Sequence, residues 1–317
     1  MLGMLVLVVG LFFLIKGGDW LVEGSVSIAK RLNVPEIVIG LTLVAFGTSA
    51  PELFVNIFSA IEGKGDIALG NVVGSNIANI AFILGISLLF RDLVIKKTTT
   101  AFEIPLVILS AFLIIVLAAD NWIDGRVMVE ISRSEGIVLL LFFVIFLIYN
   151  GFLAVKEGFE GEGDIKTYSL PVGILLFVAG LGLLIAGGKL TVNGAISVAR
   201  WIGVPERIIA LTIVALGTSL PEAVTSIMAA RKGSSDIAVG NVLGSNIFNV
   251  FFILGISALL RPLGISSGMQ RDLWVNLGIS LLCWILVLLG RGKISRKSGM
   301  VFVGFYVLYL LQLVVFP

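Results

Sequence analysis

Residues 47–52 read Gly-Thr-Ser-Ala-Pro-Glu, and residues 217–222 repeat this stretch as Gly-Thr-Ser-Leu-Pro-Glu, at an offset of 170 residues. Each copy places a carboxylate, two hydroxyl groups and a proline inside a long apolar stretch. Ionisable groups are costly within a membrane, and they persist there mainly where they serve an ion or substrate path. The two copies therefore predict an internal duplication built around a buried polar site.

The composition is that of a membrane protein. Of the 317 residues, 58% are hydrophobic and only 13% are charged. A soluble domain needs a more polar surface, and the strands of a membrane barrel alternate polar and apolar residues. The composition therefore predicts an all-α polytopic protein in a lipid bilayer. The small net charge of +2 gives no reason to expect nucleic acid as a partner.

The residue types limit the chemistry. The chain has no histidine, which removes imidazole metal ligands and histidine-dependent catalytic triads. The single cysteine, Cys283, lies in an apolar run, where it is typical of a small hydrophobic residue. Any cation must therefore be held by oxygen atoms, and no cofactor is expected.

Ten apolar segments are predicted to span the membrane, five in each half. Their approximate bounds are residues 2–30, 34–61, 66–90, 102–119, 135–155, 170–199, 204–230, 236–260, 272–290 and 298–316. The polar stretch at 157–169 is predicted to be a solvated connection between a first repeat at 1–156 and a second at 170–317. The first segment is expected to be retained as a span and not removed as a signal peptide.

The duplication extends beyond the first motif. Residues 34–36, 70–77 and 84–87 all recur in closely similar form 170 positions later, without an insertion between them. Because each half holds an odd number of spans, the second half must cross the membrane in the opposite direction. This is an inverted-topology repeat, an architecture found in transporters.

Lysine and arginine placement predicts the orientation. With the amino terminus outside, thirteen of these residues fall in inner loops and seven in outer loops. Cytoplasmic loops carry the excess of positive charge in membrane proteins. Both termini are therefore expected to be extracellular, in the plasma membrane of a prokaryotic cell.

The prolines of the two motifs are predicted to break their helices. Proline lacks an N–H donor and its ring clashes with the carbonyl four residues earlier, so Pro51 and Pro221 should open the helix near Gly47 and Gly217. Irregular backbone at membrane depth is tolerated only where it faces protein or a water-filled cavity. The freed carbonyls at 45–48 and 215–218 are therefore candidate cation ligands.

Side chains of four helices are expected to converge on this site. Glu52 follows Thr48 and Ser49 by four and three residues, so all three can address one face of the helix. The next span of each half adds a serine and an asparagine four residues apart: Ser75 with Asn79, and Ser245 with Asn249. Gly70 and Gly74, like Gly240 and Gly244, form small-residue faces that allow helices to approach closely.

The predicted ligand set suits calcium. Ca²⁺ takes about six to eight oxygens in a forgiving geometry, carboxylates and carbonyls among them. Glu52 and Glu222, if ionised and empty, would be costly in the membrane and must be neutralised by cations or protons. One Ca²⁺ or several Na⁺ could do so, but not together, and this mutual exclusion is the physical basis of exchange.

Three other interpretations compete with an exchanger. A proline and a glutamate in an apolar helix can form a simple kink, but that reading does not explain two copies in one register. The sequences at 63–66 and 161–164 match the Gly-x-Gly-Asp signature of intramembrane aspartyl proteases, but no tyrosine precedes an aspartate to supply its partner motif. A cation channel could use the carboxylates as a selectivity filter.

The paired Gly-Thr-Ser-x-Pro-Glu motifs, with their Gly-Ser-Asn partners, resemble the α-repeats of the cation/Ca²⁺ exchanger superfamily, and most closely those of prokaryotic Na⁺/Ca²⁺ exchangers. The resemblance covers essentially the whole chain. It implies that the glutamates coordinate Ca²⁺ and share in Na⁺ binding, while the other positions supply carbonyl, hydroxyl or amide oxygens. The metal-binding residues implied are Glu52, Glu222, Thr48, Thr218, Ser49, Ser219, Ser75, Ser245, Asn79, Asn249, Ala45 and Ala215.

The same resemblance implies how the protein works. It implies a transporter and not an enzyme: an electrogenic, monomeric antiporter that exchanges Na⁺ for Ca²⁺ by alternating access, with the first and sixth spans as the moving pair. Proton-coupled members of the superfamily carry a different motif, and K⁺-dependent members carry aspartate where this chain has Asn249. Ca²⁺/H⁺ exchange and K⁺-dependent exchange therefore remain the alternatives within the fold.

Overall fold

We describe a computed structural model of the chain, in which residues 2–119, 129–159, 165–203 and 215–315 are described. The fold is almost entirely helical. Its first elements are α1 (Leu2–Leu32), α2 (Glu36–Ile39), the π-helix π1 (Gly40–Val44), α3 (Ala45–Thr48), α4 (Ala50–Ile61), α5 (Gly65–Ile77), π2 (Ala78–Leu84), α6 (Gly85–Phe90), strand β1 (Leu93–Val94), α7 (Lys97–Ala101) and α8 (Glu103–Leu117).

The remaining elements repeat this order in large part. They are strand β2 (Glu130–Ile131), α9 (Arg133–Lys156), α10 (Leu170–Trp201), the single turn α11 (Ala215–Gly217), α12 (Leu220–Lys232), α13 (Ser235–Ile247), π3 (Phe248–Leu254), α14 (Gly255–Leu260), strand β3 (Leu263–Gly264), a 3₁₀ turn (Ser267–Met269), α15 (Gln270–Leu289), strand β4 (Lys293–Ile294) and α16 (Arg296–Val315).

The described residues form a helical integral membrane protein. Seven continuous helices are long and apolar enough to cross a bilayer, and one bent pair, Glu36–Thr48 with Ala50–Ile61, makes an eighth candidate. These coincide with eight of the predicted spans. The spans predicted at 204–230 and 298–316 match α12 and α16 in part, while residues 204–214 and 316 lie outside the described residues.

The centre of the molecule is formed by two equivalent spans. Among the candidate spans, Gly65–Phe90 and Ser235–Leu260 have 78% and 83% of their apolar window buried, whereas the others have 22–39%. The outer helices face the surrounding lipid with large apolar side chains, such as Phe12, Ile145 and Leu175. The two central spans are those that the sequence predicts beside the proline motifs.

The helix breaks occur at the serines of the motifs. α3 ends at Thr48, Ser49 has φ −82° and ψ 8°, and α4 begins at Ala50, with a bend of 50° between the two parts. Ser219 has nearly the same backbone angles, φ −86° and ψ 9°, before α12. Proline follows closely in both cases because its missing N–H is tolerated in the first turn of a helix. The predicted breaks are therefore present, centred two residues after Gly47 and Gly217.

Within the described parts of the chain, three π-helical segments were not predicted. π1, π2 and π3 are wider than α-helix, and π2 and π3 begin directly before Asn79 and Asn249. π-helical turns are rare and occur frequently at functional sites, because one extra residue per turn changes where a side chain points. Here π2 and π3 coincide with the central asparagines, Asn79 and Asn249.

α1 and α10 pack against each other along most of their length. Their contact depends on glycine: a Cβ at Gly10 would lie 2.5 Å from the backbone nitrogen of Thr191, and one at Gly180 would lie 2.5 Å from that of Leu21. Any larger residue would force the helix axes apart. The first and sixth predicted spans therefore form one closely packed pair.

Glycine also brings α13 against π1. A Cβ at Gly244 would lie 2.6 Å from the carbonyl oxygen of Leu41, and one at Gly240 would lie 3.0 Å from the Cα of Gly40. The close approach predicted for this small-residue face is present. Among the described residues, Gly70 and Gly74 have no contact of this kind within 3 Å.

Two short antiparallel ladders join connections that are distant in sequence. Strand β1 pairs with β4 through Leu93 and Ile294, and β2 pairs with β3 through Ile131 and Leu263. Each ladder joins two loops that the sequence assigns to the same side of the membrane. The helical body is thus tied together at both of its surfaces.

The connection at 157–169 was expected to be simply solvated, but part of it is attached to α1. The backbone N–H of Tyr168 donates to the hydroxyl of Ser27 at 3.1 Å, and the Tyr168 hydroxyl donates to Glu23 at 3.2 Å. The side chain of Arg31 donates to the Tyr168 carbonyl at 2.9 Å. Tyr168 therefore attaches the connection to α1, a contact that the charge and polarity of this stretch do not predict. Residues 160–164 of this connection lie outside the described residues.

Candidate ion-binding site

The two motif glutamates lie at the centre of the molecule. Glu52 and Glu222 each follow a helix break, and each is only 1% exposed. They are close enough to interact electrostatically. Because a break precedes each glutamate, both sit in the first turn of a half-helix, where the backbone N–H groups favour negative charge.

Serine hydroxyl groups connect the two glutamates across the duplication. Ser49 donates to Oε1 of Glu222 at 2.9 Å, and Ser219 donates to Oε1 of Glu52 at 3.0 Å. Ser49 was expected to share one helix face with the glutamate of its own motif, but it pairs with the glutamate of the other. The reason is the break at the serine, which turns its side chain towards the opposite half.

The next spans complete this serine arrangement. Ser245 Oγ lies 3.0 Å from Ser49 Oγ, and Ser75 Oγ lies 3.2 Å from Ser219 Oγ and 3.4 Å from Oε1 of Glu52. All four serines are buried. The structure thus brings together the four predicted serines and both glutamates in two matching clusters.

The central asparagines are oriented by two further asparagines. The amide nitrogen of Asn79 donates to Oδ1 of Asn246 at 2.9 Å, and that of Asn249 donates to Oδ1 of Asn76 at 3.0 Å. Asn76 and Asn246 also donate to each other's backbone carbonyls, at 3.2 Å in both directions. The side-chain nitrogens of Asn79 and Asn249 are thus hydrogen-bonded, whereas their Oδ1 atoms have no hydrogen-bond partner among the described residues.

Of the buried oxygens that have no hydrogen-bond partner among the described residues, four belong to the motif glutamates and the central asparagines. They are Oε2 of Glu52, Oε2 of Glu222, Oδ1 of Asn79 and Oδ1 of Asn249. Buried polar atoms without partners are uncommon in native proteins and each calls for an explanation, such as an ion. These four are two matching pairs of the duplication, and all are the hard oxygen ligands that Ca²⁺ and Na⁺ require.

The threonines of the motifs differ in their surroundings. The hydroxyl of Thr48 is buried and donates to Oδ1 of Asn241 at 3.0 Å, so this hydroxyl is used in a hydrogen bond within the protein. The hydroxyl of Thr218 has no partner among the described residues. Thr48 was expected to act through its backbone carbonyl, and the position of its side chain is compatible with that role.

The alanine carbonyls lie in the short helical turns before the breaks. The carbonyl of Ala45 accepts from the backbone N–H of Ser49 at 3.0 Å. Ala215 begins the turn α11, and nothing further is described of its side chain. Within the described residues no three histidine, cysteine, aspartate or glutamate side chains cluster. A cation at the centre would therefore be held by two carboxylates together with amide, hydroxyl and carbonyl oxygens.

Asn76, Asn246 and Asn241 are the residues that sequence reasoning missed. Asn241 donates to the carbonyl of Glu222 at 3.2 Å and to the hydroxyl of Ser226 at 2.9 Å, which fixes the start of α12. The sequence does contain a signal for these asparagines, because all three lie in the duplicated stretch at 70–77 and 240–247. A buried asparagine present in both copies is itself a candidate positioning residue.

Comparison with known proteins identifies the family of the chain. A family model described as sodium/calcium exchanger protein matches residues 2–152 and 172–315. The sodium/calcium exchanger MaX1 of Methanosarcina acetivorans is 35% identical, over 98% of this chain and 97% of the relative. The inner membrane protein YrbG of Escherichia coli is 32% identical, over 97% of this chain and 95% of the relative.

The fold is similar to that of a solved exchanger. The structure of the sodium-calcium exchanger NCX_Mj, soaked with 2.5 mM Na⁺ and 0.1 mM Ca²⁺, superposes with a TM-score of 0.83 at 30% sequence identity. The superposition covers 99% of both chains. Both polar motifs and the helices around them lie within the matched regions. By sequence and by fold, this chain belongs to the sodium/calcium exchanger protein family.

Proposed function

We propose that this chain is a secondary-active antiporter that exchanges Na⁺ for Ca²⁺ across a membrane by alternating access. The observation that carries the proposal is the set of four unpartnered, buried oxygens contributed equally by the two copies of the duplication. A site with two carboxylates and several neutral oxygens fits one Ca²⁺ or several Na⁺. Its ligands are the twelve residues predicted from the motifs.

The serine clusters support competition between the two ions. Each glutamate uses Oε1 to accept from a serine of the other half and keeps Oε2 free for an ion. A divalent ion at the centre and monovalent ions beside the serines would draw on the same two carboxylates. Because a carboxylate pair can balance only a limited positive charge, occupancy by one ion type excludes the other. Exchange of one Ca²⁺ for more than two Na⁺ makes transport electrogenic.

The architecture proposed is two inverted five-helix repeats, residues 1–156 and 170–317, with ten spans in all. The two central spans, the two serine breaks and the two ladders occur as matching pairs, which supports this arrangement. The excess of lysine and arginine in the inner loops places both termini outside the cell, in the plasma membrane of a prokaryote. One chain closes the whole site, so a monomer suffices, without a cofactor and without catalytic chemistry.

Radiolabelled Ca²⁺ uptake into Na⁺-loaded proteoliposomes tests the proposal. The vesicles are diluted into Na⁺-free buffer containing either K⁺ or choline, and membrane potential is set with an ionophore. We expect uptake that requires internal Na⁺, is equal in K⁺ and choline when no ionophore is present, and increases when the inside is made positive. The last effect follows because each cycle carries net positive charge outward, and inward diffusion of external K⁺ through the ionophore makes the interior positive and drives that charge out.

The alternatives give different results in the same vesicles. Uptake driven by a pH gradient without Na⁺ would replace the proposal with Ca²⁺/H⁺ exchange. A requirement for K⁺ would indicate K⁺-dependent exchange. Uptake without any counter-ion would indicate a cation channel.

A further inference from the structure

A group of charges ties α1 to the end of α12. The ammonium of Lys232 lies 3.0 Å from a carboxylate oxygen of Asp19 and 3.0 Å from one of Glu23. The three side chains are only 21–27% exposed, so their attraction is less screened than at an open surface. On this side of the molecule, the first helix is held against the half-helix that carries Glu222.

In the other half of the duplication, the residues equivalent to Asp19 and Lys232 carry charges of the opposite sign. At the offset of 170 residues, Asp19 corresponds to Lys189 on α10, and Lys232 corresponds to Glu62, the residue after α4. The acid and the base have therefore exchanged places. The two residues retain the ability to form one ion pair, with its polarity reversed.

The second ion pair is not formed in this structure. Glu62 instead lies 2.6 Å from Lys64, and both of those side chains are 56% exposed. Lys189 lines a cavity of about 280 Å³ whose other walls include Pro51, Thr218 and Pro221. This cavity reaches the two helix breaks, so the unformed contact lies beside a path to the ion-binding site.

The helix packing shows the same difference between the two sides. A Cβ at Gly18 of α1 would lie 2.8 Å from Val224 and 3.1 Å from Met228, both on α12. A Cβ at Gly188, the equivalent residue of α10, would meet only Pro221, at 3.9 Å. The side chains that correspond to Val224 and Met228 are phenylalanines of α4. Their exposed fractions are 60% for Phe54 and 62% for Phe58.

We propose that Lys189 and Glu62 form a second gate that closes when the first one opens. In the alternative state, α10 packs on α4, Gly188 meets Phe54 and Phe58, and the Lys189 ammonium reaches the Glu62 carboxylate. Closing this contact fills the 280 Å³ cavity and separates Lys232 from its partners on α1. The inference rests on the proposed function, because it assigns these residues to alternating access.

The charge arrangement provides an ionic contact in each of the two states. Since α1 and α10 are packed together along glycine faces, moving the pair towards α4 moves it away from α12. The contacts of Lys232 with Asp19 and Glu23 are then lost on one side, while the Lys189–Glu62 pair is gained on the other. A ligand or mutation shifts such a balance only through a difference between the two states.

Cysteine cross-linking tests the contact directly. In the full chain carrying Cys283→Ser, reconstituted in vesicles, the pair Glu62→Cys with Lys189→Cys is oxidised with copper phenanthroline and followed by loss of maleimide labelling. A disulfide requires Cα atoms within about 7 Å, so it reports only the closed contact. The control pair is Glu62→Cys with Ile185→Cys, one helical turn away along the cavity.

We expect the Glu62 and Lys189 positions to cross-link at least roughly tenfold faster than the control pair. Adding Lys232→Gln should accelerate the reaction by about threefold or more, because it releases α1 from α12. A test pair that does not cross-link, or that is matched by its control, would overturn the proposal. An unchanged rate with Lys232→Gln would overturn the coupling between the gates.

Charge exchange tests the same pair during transport. Lys189→Glu and Glu62→Lys should each lower the initial rate of Na⁺-driven Ca²⁺ uptake by roughly five- to tenfold, and the double exchange should restore it to within about twofold. Lys64→Ala, which removes only the present partner of Glu62, should leave uptake unchanged. Failure of the double exchange to restore the rate would contradict the gate.

The two proposals fail in distinguishable ways. If the unmodified protein shows no Na⁺-driven Ca²⁺ uptake, the proposed function fails whatever the cross-linking shows. If uptake is present and the Glu62 and Lys189 positions never meet, only the second gate fails.

Discussion

The proposed ion-binding centre and the contacts of α1 and α10 both derive from the duplicated sequence. The centre has the same residues in both copies, whereas the helix contacts do not. At the centre, Glu52 matches Glu222 and Asn79 matches Asn249, and their hydrogen bonds are nearly mirror copies. At the helix contacts, Asp19 is matched by Lys189. The difference teaches that residues which meet at one centre have stayed alike in the two copies, whereas contacts that we propose form at different moments have diverged.

The largest expected effect comes from replacing one of the two matching glutamates at the centre. Glu52→Gln and Glu222→Gln should each reduce Na⁺-driven Ca²⁺ uptake by roughly 100-fold or more, because each removes half of the buried negative charge. Vesicle uptake measures the loss. The control is Glu103→Gln, which changes a buried glutamate of α8 that is bonded to Tyr149 and lies outside the site. Wild-type uptake in either motif mutant would show that the two halves do not share the ion.

The next effect concerns the residues that orient the central amides. Asn76→Ala and Asn246→Ala should each weaken apparent Ca²⁺ affinity by roughly 10- to 100-fold, because Asn249 or Asn79 loses the partner that fixes its free oxygen. Isothermal titration or the Ca²⁺ dependence of uptake measures the change. Asn150→Ala serves as the control, since this buried asparagine of α9 bonds only to the carbonyl of Phe146. Equal affinities in all three variants would remove the orienting role.

A smaller effect is expected where α1 and α10 meet. Gly180→Val should lower the free energy of unfolding by about 1–3 kcal/mol and slow exchange, because its side chain would push against the backbone of Leu21. Thermal unfolding in detergent and vesicle uptake measure the two changes. Gly182→Val is the matched control, as a Cβ there meets nothing within 4 Å. A variant of Gly180 that behaves like the control would show that close packing of the pair is dispensable.

The smallest effect is expected at the surface, away from both regions. The backbone N–H of Arg296 and the side chain of Lys293 hold the pKa of Asp92 below its ordinary value. A lowered pKa stabilises the fold at neutral pH, and this contribution is lost as pH falls through the folded-state value. Asp92→Asn should therefore lower the unfolding temperature slightly at pH 7 and make little difference near pH 3. A gap between the two proteins that grows at low pH would contradict this assignment.

The sequence was sufficient for the parts of the site that are duplicated and chemically unusual. Glu52 and Glu222 stand out because charge inside an apolar segment is costly, and Pro51 predicts a break because it removes a backbone donor. The register between copies then indicated Ser75 and Asn79 and their partners. These inferences needed only local chemistry and a constant offset. Their roles as ion ligands remain predictions.

The remaining features depend on contacts between distant segments. The π-helical segments π2 and π3, which contain Asn79 and Asn249, have sequences that local pattern does not distinguish from α-helix. The pairing of Ser49 with Glu222 depends on how two breaks face each other, which no single segment specifies. The attachment of Tyr168 to α1 likewise joins residues about 140 positions apart. Local pattern gives the elements, and these contacts give the site its final geometry.

The ladder between β1 and β4 has a consequence for how the chain is made. Leu93 pairs with Ile294, so the partner of the first strand is synthesised about 200 residues later. The helices inserted early in translation therefore lie in the bilayer without the β1–β4 ladder while most of the chain is still being produced. The ladder can therefore form only once the loop before α16 has been made, and a contact of the first third of the protein is completed by nearly the last part of the chain.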